Sequence, residues 1–136
     1  AASAPRARNY GTVFVTLADE DKEEALPLVR RFYNLGFNIQ ATIGTADFLR
    51  GQGIRTHVLG KISEGSSDIL DGIREGRIHY VVNTRAILSG IHYDDGEQIR
   101  RCATENNVTL FTSLDTVRVF LDVLEEITLT ISTIDS

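Results

Sequence analysis

The segment NIQATIGTADFL, residues 38–49, carries two threonines on either side of a glycine where an apolar strand gives way to a helix. Backbone N–H groups in the first turn of a helix lack intrahelical acceptors, and the helix dipole favours an anion there. Gly44 lets a ligand approach the backbone, and the hydroxyls of Thr42 and Thr45 can add hydrogen-bond donors. We expect the amides of Thr45 and Ala46 to be unpaired donors. This corner is therefore predicted to hold a phosphate group.

Other polar residues follow the remaining predicted strands, and ligands of open α/β sheets sit beyond the carboxyl ends of the strands. The residues at or just past these strand ends are Lys22, Lys61, Asn83 and Thr84, with Thr16 near the end of the first strand. Two ammonium groups, several hydroxyls and an amide would then face one crevice. Each charge-assisted bond to phosphate contributes roughly 1.5–3 kcal/mol. The set predicts a site for a phosphorylated ligand.

Each of these residues also has an ordinary structural interpretation. Threonine hydroxyls at positions such as Thr42 and Thr45 commonly cap helices. Lys22 and Lys61 can be solvated charges, and Asn83 can stabilise a turn. Their joint placement at strand ends is what favours ligand binding.

Groups that would transform a ligand are hard to find. His57, His79 and His92 do not have the spacing of metal ligands, and we predict neither a catalytic residue nor a metal site. The single cysteine, Cys102, is most simply a small packing residue in a reducing compartment. The sequence contains no Gly-x-Ser-x-Gly elbow, no full dinucleotide fingerprint and no phosphate loop ending in Gly-Lys-Ser/Thr.

The elements that must position these residues alternate along the chain. Short β-branched or aromatic runs predict strands at residues 11–17, 37–42, 56–62, 78–83 and 108–112. Helical patterns lie between them and after the last of them. This alternation predicts an α/β three-layer sandwich, with about five mainly parallel strands and helices on both faces. We interpret residues 1–10 as a linker or tail and residues 126–136 as an edge strand or tail.

Size and charge limit the classes of function. The chain of 136 residues suits one domain with a real core, here residues 11–125. Its net charge of −5 argues against a broad nucleic-acid surface, and no apolar run approaches the ~18 residues of a membrane span. The sequence contains no methionine, and we expect it to be part of a larger protein.

Three stretches together resemble a known family. They are GTVFVTLADEDKEEALPLVRRFYNLGFNIQATIGTADFLRGQGI, GKISEG and IREGRIHYVVNT. They are similar to the C-terminal regulatory domain of the carbamoyl phosphate synthetase large subunit, which belongs to the methylglyoxal-synthase-like group. The resemblance covers roughly residues 11 to 125, and it implies a Rossmann- or flavodoxin-like parallel sandwich.

The resemblance implies that the domain binds an allosteric nucleotide: uridine monophosphate as inhibitor, or inosine monophosphate as activator. It implies no cofactor here, with ATP and magnesium serving other domains of the synthetase. The implied partners are those domains, a glutaminase small subunit and a second copy of the chain, with no nucleic acid and no membrane. The setting is the cytoplasm, in pyrimidine and arginine biosynthesis. The positions matching the family's nucleotide contacts are Lys22, Thr42, Thr45, Lys61, Asn83 and Thr84, with Thr16 matching a small hydroxyl residue.

Arg85 departs from the family pattern, because bacterial relatives often carry a small polar residue there. It could reach the phosphate and favour a more heavily phosphorylated ligand such as phosphoribosyl pyrophosphate.

Two alternative functions stay open. The first is methylglyoxal synthase, a phosphate lyase on the same scaffold that needs a carboxylate at its substrate. In this sequence, the stretches that correspond to the two aspartate-bearing loops of the synthase read GSSD and NTRA, so neither aspartate is matched in place. Asp68 could replace one of them only if the alignment of the two sequences were shifted. The second is a domain that mediates oligomer contacts without binding a ligand.

Overall fold

The structure is a computed structural model that describes residues 11–62, 65–84 and 93–135, without the side chains of residues 93–96 and 129–135. The strands are β1 Gly11–Thr16, β2 Phe37–Ala41, β3 Thr56–Val58, β4 Tyr80–Asn83 and β5 Thr109–Phe111. The helices are α1 Lys22–Asn34, α2 Ile43–Gly51, α3 Asp68–Arg74, α4 Tyr93–Glu105 and α5 Leu114–Asp135.

The five strands form one parallel sheet in the order β3-β2-β1-β4-β5. The predicted α/β sandwich is therefore confirmed. The chain builds outward from β1 to β3, then returns to β4 on the other side of β1. The strand order thus reverses between β1 and β4, and ligands of doubly wound sheets bind at such a reversal, beyond the carboxyl ends of the strands.

Side chains of β1 alternate between two separate cores, which is why the sheet is covered on both faces. Val13 and Val15 pack in a cluster with buried residues of α1, α2 and α5. Phe14, between them, packs in a second cluster with residues of α3 and α4. All three side chains are fully buried. The sheet is therefore the middle layer of three, with one core packed on each of its faces.

Helix α1 begins later than its charge pattern suggests. Asp19–Asp21 forms a short 3-10 turn, and the α-helix starts at Lys22. Pro27 lies inside α1, where it cannot donate a hydrogen bond to the carbonyl of Glu23. Burial of residues such as Phe32 on the core side of α1 maintains the helix past that proline.

The expected edge strand near the C-terminus is wrong, because α5 continues as helix to Asp135. The alternating residues ITLTISTI, 127–134, also place Ile127, Ile131 and Ile134 at helical spacing of four and three. No glycine or proline occurs between residues 114 and 135 to end the helix. None of the helices in the described part of the chain is both long and apolar enough to span a bilayer.

Candidate anion-binding site

Polar residues of three neighbouring strands lie in one row at the carboxyl edge of the sheet. Thr16 of β1 is in register with Asn83 of β4, and Thr42 directly follows Ala41, which pairs with Val15. Paired strands are about 4.8 Å apart, so the row is compact. Thr42 and Thr16 are each 6% exposed and Asn83 is 3% exposed. Three buried polar residues thus sit side by side at the strand-order reversal.

The hydroxyl of Thr42 is buried without a hydrogen-bond partner among the described residues. Thr42 is the N-cap residue of α2 and has the extended backbone of a cap, but its side chain makes no capping hydrogen bond. The capping interpretation is therefore wrong for Thr42. A buried polar group without a partner costs about 1–3 kcal/mol. This unpartnered hydroxyl marks the first turn of α2 as a place suited to a polar ligand.

The first turn of α2 supplies backbone donors, although not quite those we expected. Helix α2 begins at Ile43, and the Ala46 N–H already donates to the Thr42 carbonyl at 2.8 Å. The expectation of an unpaired Ala46 amide is therefore wrong. The first three helical amides, which precede that bond, belong to Ile43, Gly44 and Thr45. They lie at the positive end of the helix dipole.

Nothing in the described fold requires a glycine at position 44. A Cβ atom at this position would have no heavy atom within 4 Å outside its own helix, and its φ is not in the left-handed region. Glycine is also an unfavourable helix residue, by about 1 kcal/mol relative to alanine. Neither packing nor backbone conformation explains this glycine, whereas close approach of a ligand would.

Two further hydroxyls, those of Thr45 and Thr84, accept hydrogen bonds from the backbone just after β1. Thr45 Oγ1 accepts a hydrogen bond from Leu17 N–H at 3.2 Å, and Thr84 Oγ1 accepts one from Ala18 N–H at 3.0 Å. Both contacts are buried. A hydroxyl that accepts a hydrogen bond still has its own proton to donate. Thr45 and Thr84 can therefore shape this edge of the sheet and contact an anion there.

Both lysines of the chain, Lys22 and Lys61, belong to segments at this edge. Lys22 is the first residue of α1, and its Nζ lies 2.8 Å from Asp19 Oδ1, so it is ion-paired and not simply solvated. Lys61 is half-buried beyond β3, and no described carboxylate forms a salt bridge with it. Its carbonyl accepts a hydrogen bond from Ser66 N–H at 3.2 Å.

Arg85, the other basic candidate, lies outside the described residues, as do residues 86–92 after β4. Its role in binding phosphate stays a prediction. Ligand contacts of the other named residues also stay predictions, although the fold carries them all to the carboxyl edge of the sheet.

An open cleft of about 310 Å³ lies beside this row, on the β5 side. Its lining includes the hydroxyls of Thr84, Thr112 and Ser113 and the carboxylates of Asp21, Glu24 and Asp115. Sequence reasoning missed this cleft, although Thr112 and Ser113 follow β5 and the same strand-end rule would have selected them. The carboxylates make this side unfavourable for an anion. A phosphate is therefore expected over β2, β1 and the end of β4, away from β5, with Thr84 between it and the cleft.

Two other titratable side chains, those of His79 and Cys102, make contacts within the fold. His79 Nδ1 accepts a hydrogen bond from Thr12 N–H at 3.0 Å, at the amino edge of the sheet. Cys102 is buried between α3 and α4, where its Sγ lies 3.7 Å from the Leu70 carbonyl. Burial raises the pKa of the Cys102 thiol. Cys102 therefore packs in the core, as predicted.

Fold and site together define a class: a parallel α/β sandwich with an anion-suited edge where the strand order reverses. The chain belongs to the MGS-like domain family, whose model matches residues 24–112, more than half of its length. The matched region begins early in α1 and ends just after β5. It includes the start of α2, Lys61 and the end of β4.

Proposed function

We propose that this chain is an effector-binding regulatory domain of the carbamoyl phosphate synthetase large subunit. The observation that carries the proposal is the Thr42 hydroxyl at the N-terminus of α2, which is buried and has no hydrogen-bond partner among residues 11–62, 65–84 and 93–135. It lies in the same row as Thr16 and Asn83, next to amides that precede the first intrahelical bond of α2. A phosphate group would accept hydrogen bonds from these donors and gain from the helix dipole.

The basic groups at this edge support a phosphorylated ligand. Lys22 and Lys61 each provide a compact charge, and Thr45 and Thr84 provide hydroxyl protons. The family resemblance supports uridine monophosphate as an inhibitor or inosine monophosphate as an activator. Arg85, which departs from the family pattern, favours a more heavily phosphorylated ligand such as phosphoribosyl pyrophosphate. A second phosphoryl group would be repelled by the acidic cleft on the β5 side. It would therefore extend towards Lys61.

In this proposal the domain acts by linkage and not by chemistry. Effector bound here changes substrate affinity or rate at a distant site that uses ATP and magnesium, by a coupling of about 1–3 kcal/mol. That site would lie in other domains of the same chain, assisted by a glutaminase small subunit. The domain alone would bind effector and leave it unchanged.

Isothermal titration calorimetry with uridine monophosphate, inosine monophosphate and phosphoribosyl pyrophosphate tests the proposal. We expect at least one of them to bind, and Lys61→Ala to weaken it about tenfold by removing one charge-assisted contact. Arg77→Ala is the matched control. It removes one exposed cation next to the amino edge of the sheet, and the affinity should not change. An unchanged dissociation constant in Lys61→Ala would contradict the site.

The lyase alternative has one observation in its favour. The Asp68 carboxylate accepts a hydrogen bond of 3.4 Å from Gly60 N–H, next to Lys61, so a carboxylate does reach this edge. A lyase would release inorganic phosphate and methylglyoxal from dihydroxyacetone phosphate, and Asp68→Asn would abolish the release. We expect wild-type protein to release neither product, because the Asp68 carboxylate is exposed and already accepts a hydrogen bond.

A further inference from the structure

Lys22, one of the candidate site residues, forms an ion pair with Asp19. Lys22 Nζ is 2.8 Å from Asp19 Oδ1, the distance of a charge-assisted hydrogen bond. The Asp19 side chain is 94% exposed, whereas that of Lys22 is 20% exposed. The Lys22 side chain is thus mostly covered, whereas the Asp19 side chain lies at the surface.

The position of Lys22 makes an anionic partner favourable. Lys22 is the first residue of α1, where the positive end of the helix dipole repels an ammonium. A negative group beside it relieves that repulsion. In the described structure Asp19, three residues earlier, provides this negative group from the 3-10 turn that precedes α1.

The same ammonium is one of two that the proposed phosphate site uses. A phosphate oxygen and Asp19 Oδ1 would both bind at a 2.7–2.9 Å distance from Lys22 Nζ. The ammonium has three N–H donors, so it could contact both acceptors at once. Both are anionic, however, and repel each other when they lie side by side on one ammonium. The Asp19 carboxylate therefore makes phosphate binding to Lys22 less favourable.

We propose that Asp19 is an internal competitor of the phosphate ligand: its carboxylate occupies Lys22 in the ligand-free protein and lowers the affinity of the site. This inference rests on the proposed function. An exposed ion pair contributes little free energy, so the effect of Asp19 on phosphate affinity is moderate. Asp19 therefore sets the ligand concentration at which the site fills, without contacting the ligand.

The test is a titration of ¹⁵N-labelled protein with inorganic phosphate, followed through the amide resonances of Gly44 and Thr45. We expect Asp19→Asn to tighten phosphate binding about threefold to tenfold at low salt, because one competing charge is lost. The gain should shrink towards onefold at about 0.5 M salt, since exposed charges are screened. Thermal unfolding should be nearly unchanged, because Asp19 is at the surface.

Two comparisons isolate the mechanism. Asp122→Asn is the matched control: it removes another exposed, ion-paired carboxylate, on α5, and should leave phosphate affinity unchanged. In a Lys22→Ala background, Asp19→Asn should have no effect, because the shared ammonium is gone. If Asp19→Asn tightens binding equally in that background, the carboxylate acts by simple repulsion and the competitor mechanism is overturned.

The remaining outcomes separate this inference from the proposed function. If wild type binds phosphate and Asp19→Asn binds it equally or more weakly, the inference fails while the site stands. If the Gly44 and Thr45 resonances respond to phosphate in no variant, the phosphate site fails and the inference falls with it.

Discussion

Thr42 and Thr45 lie one helical turn apart at the start of α2, and their hydroxyls differ in whether they have a hydrogen-bond partner. Thr45 Oγ1 accepts a hydrogen bond from Leu17 N–H at 3.2 Å, whereas Thr42 Oγ1 is buried with no partner among the described residues. One hydroxyl therefore contributes to the fold and the other does not. This difference allows stability and ligand binding to be separated by mutation.

Replacing Thr42 by valine should stabilise the fold while weakening binding. The substitution exchanges an unpartnered buried hydroxyl for a methyl group of similar size, which we expect to raise the free energy of unfolding by about 1 kcal/mol. Phosphate or nucleotide affinity should fall about tenfold, because a donor is lost. Chemical denaturation and calorimetric titration measure the two effects.

Thr45→Val is the comparison for that experiment. It leaves the buried Leu17 N–H without its acceptor and should lower the free energy of unfolding by about 1–3 kcal/mol. If both valine variants destabilise the protein equally, the contrast between the two hydroxyls is incorrect.

Gly44→Ala should also separate stability from binding. The added methyl group meets no atom within 4 Å outside its own helix and chain neighbours, and alanine is the better helix former, so the melting temperature should stay equal or rise. Ligand affinity should fall severalfold, because the methyl group projects where the ligand approaches. Thermal unfolding and calorimetric titration provide the readouts.

Gly51 offers a matched control within the same helix. It is exposed at the last position of α2, and a Cβ atom there also meets nothing within 4 Å outside its own helix. Gly51→Ala should therefore leave affinity unchanged. Equal loss of affinity in both alanine variants would mean that Gly44 has no special role.

The Arg31–Glu125 ion pair should make stability depend on pH. Arg31 Nε and Nη2 donate to the two carboxylate oxygens of Glu125 at 2.9 and 2.6 Å, which joins α1 to α5. These hydrogen bonds from Arg31 lower the pKa of Glu125. A lowered pKa stabilises the folded state above the ordinary carboxyl pKa, and this contribution is lost as the carboxylate is protonated at lower pH.

Glu125→Gln should therefore destabilise the protein at pH 7, and this loss should diminish as the pH falls below the ordinary carboxyl pKa of about 4.3. The loss should be at most about 1 kcal/mol, because the Glu125 side chain is more than a third exposed. Urea denaturation across pH 3–8 measures it. Glu126→Gln, at the exposed neighbouring position, should have no such pH-dependent effect. A constant loss at every pH for Glu125→Gln would contradict the ion-pair explanation.

The Cys102 thiol should react slowly in the folded protein. Burial excludes reagent and raises the pKa of the thiol, so little thiolate is present at pH 7.5. Labelling with a chromogenic disulfide should be at least tenfold slower than in protein unfolded by urea. Rapid labelling under native conditions would show that the α3–α4 interface opens readily.

Much of the fold could be predicted because its signals are local. Valine and phenylalanine alternate in β1 with a period of two, and turn residues separate each strand from the next helix. Boundaries were less accurate: α2 starts at Ile43, so its first amides are those of Ile43, Gly44 and Thr45, and the Ala46 amide is already bonded. For residues 126–136, the edge strand, one of two interpretations, was wrong because the apolar residues there fit both periods.

The sequence alone determined that five parallel strands alternate with helices and that polar residues follow several of them, because periodicity and turn chemistry act between near neighbours. Only the tertiary structure decided which hydroxyls are used. Thr45 reaches Leu17 across 28 residues and Thr84 reaches Ala18 across 66, whereas Thr42 has no partner in the described part of the chain. A side chain's hydrogen-bond partner depends on which distant segments the sheet brings beside it, and no local pattern carries that information.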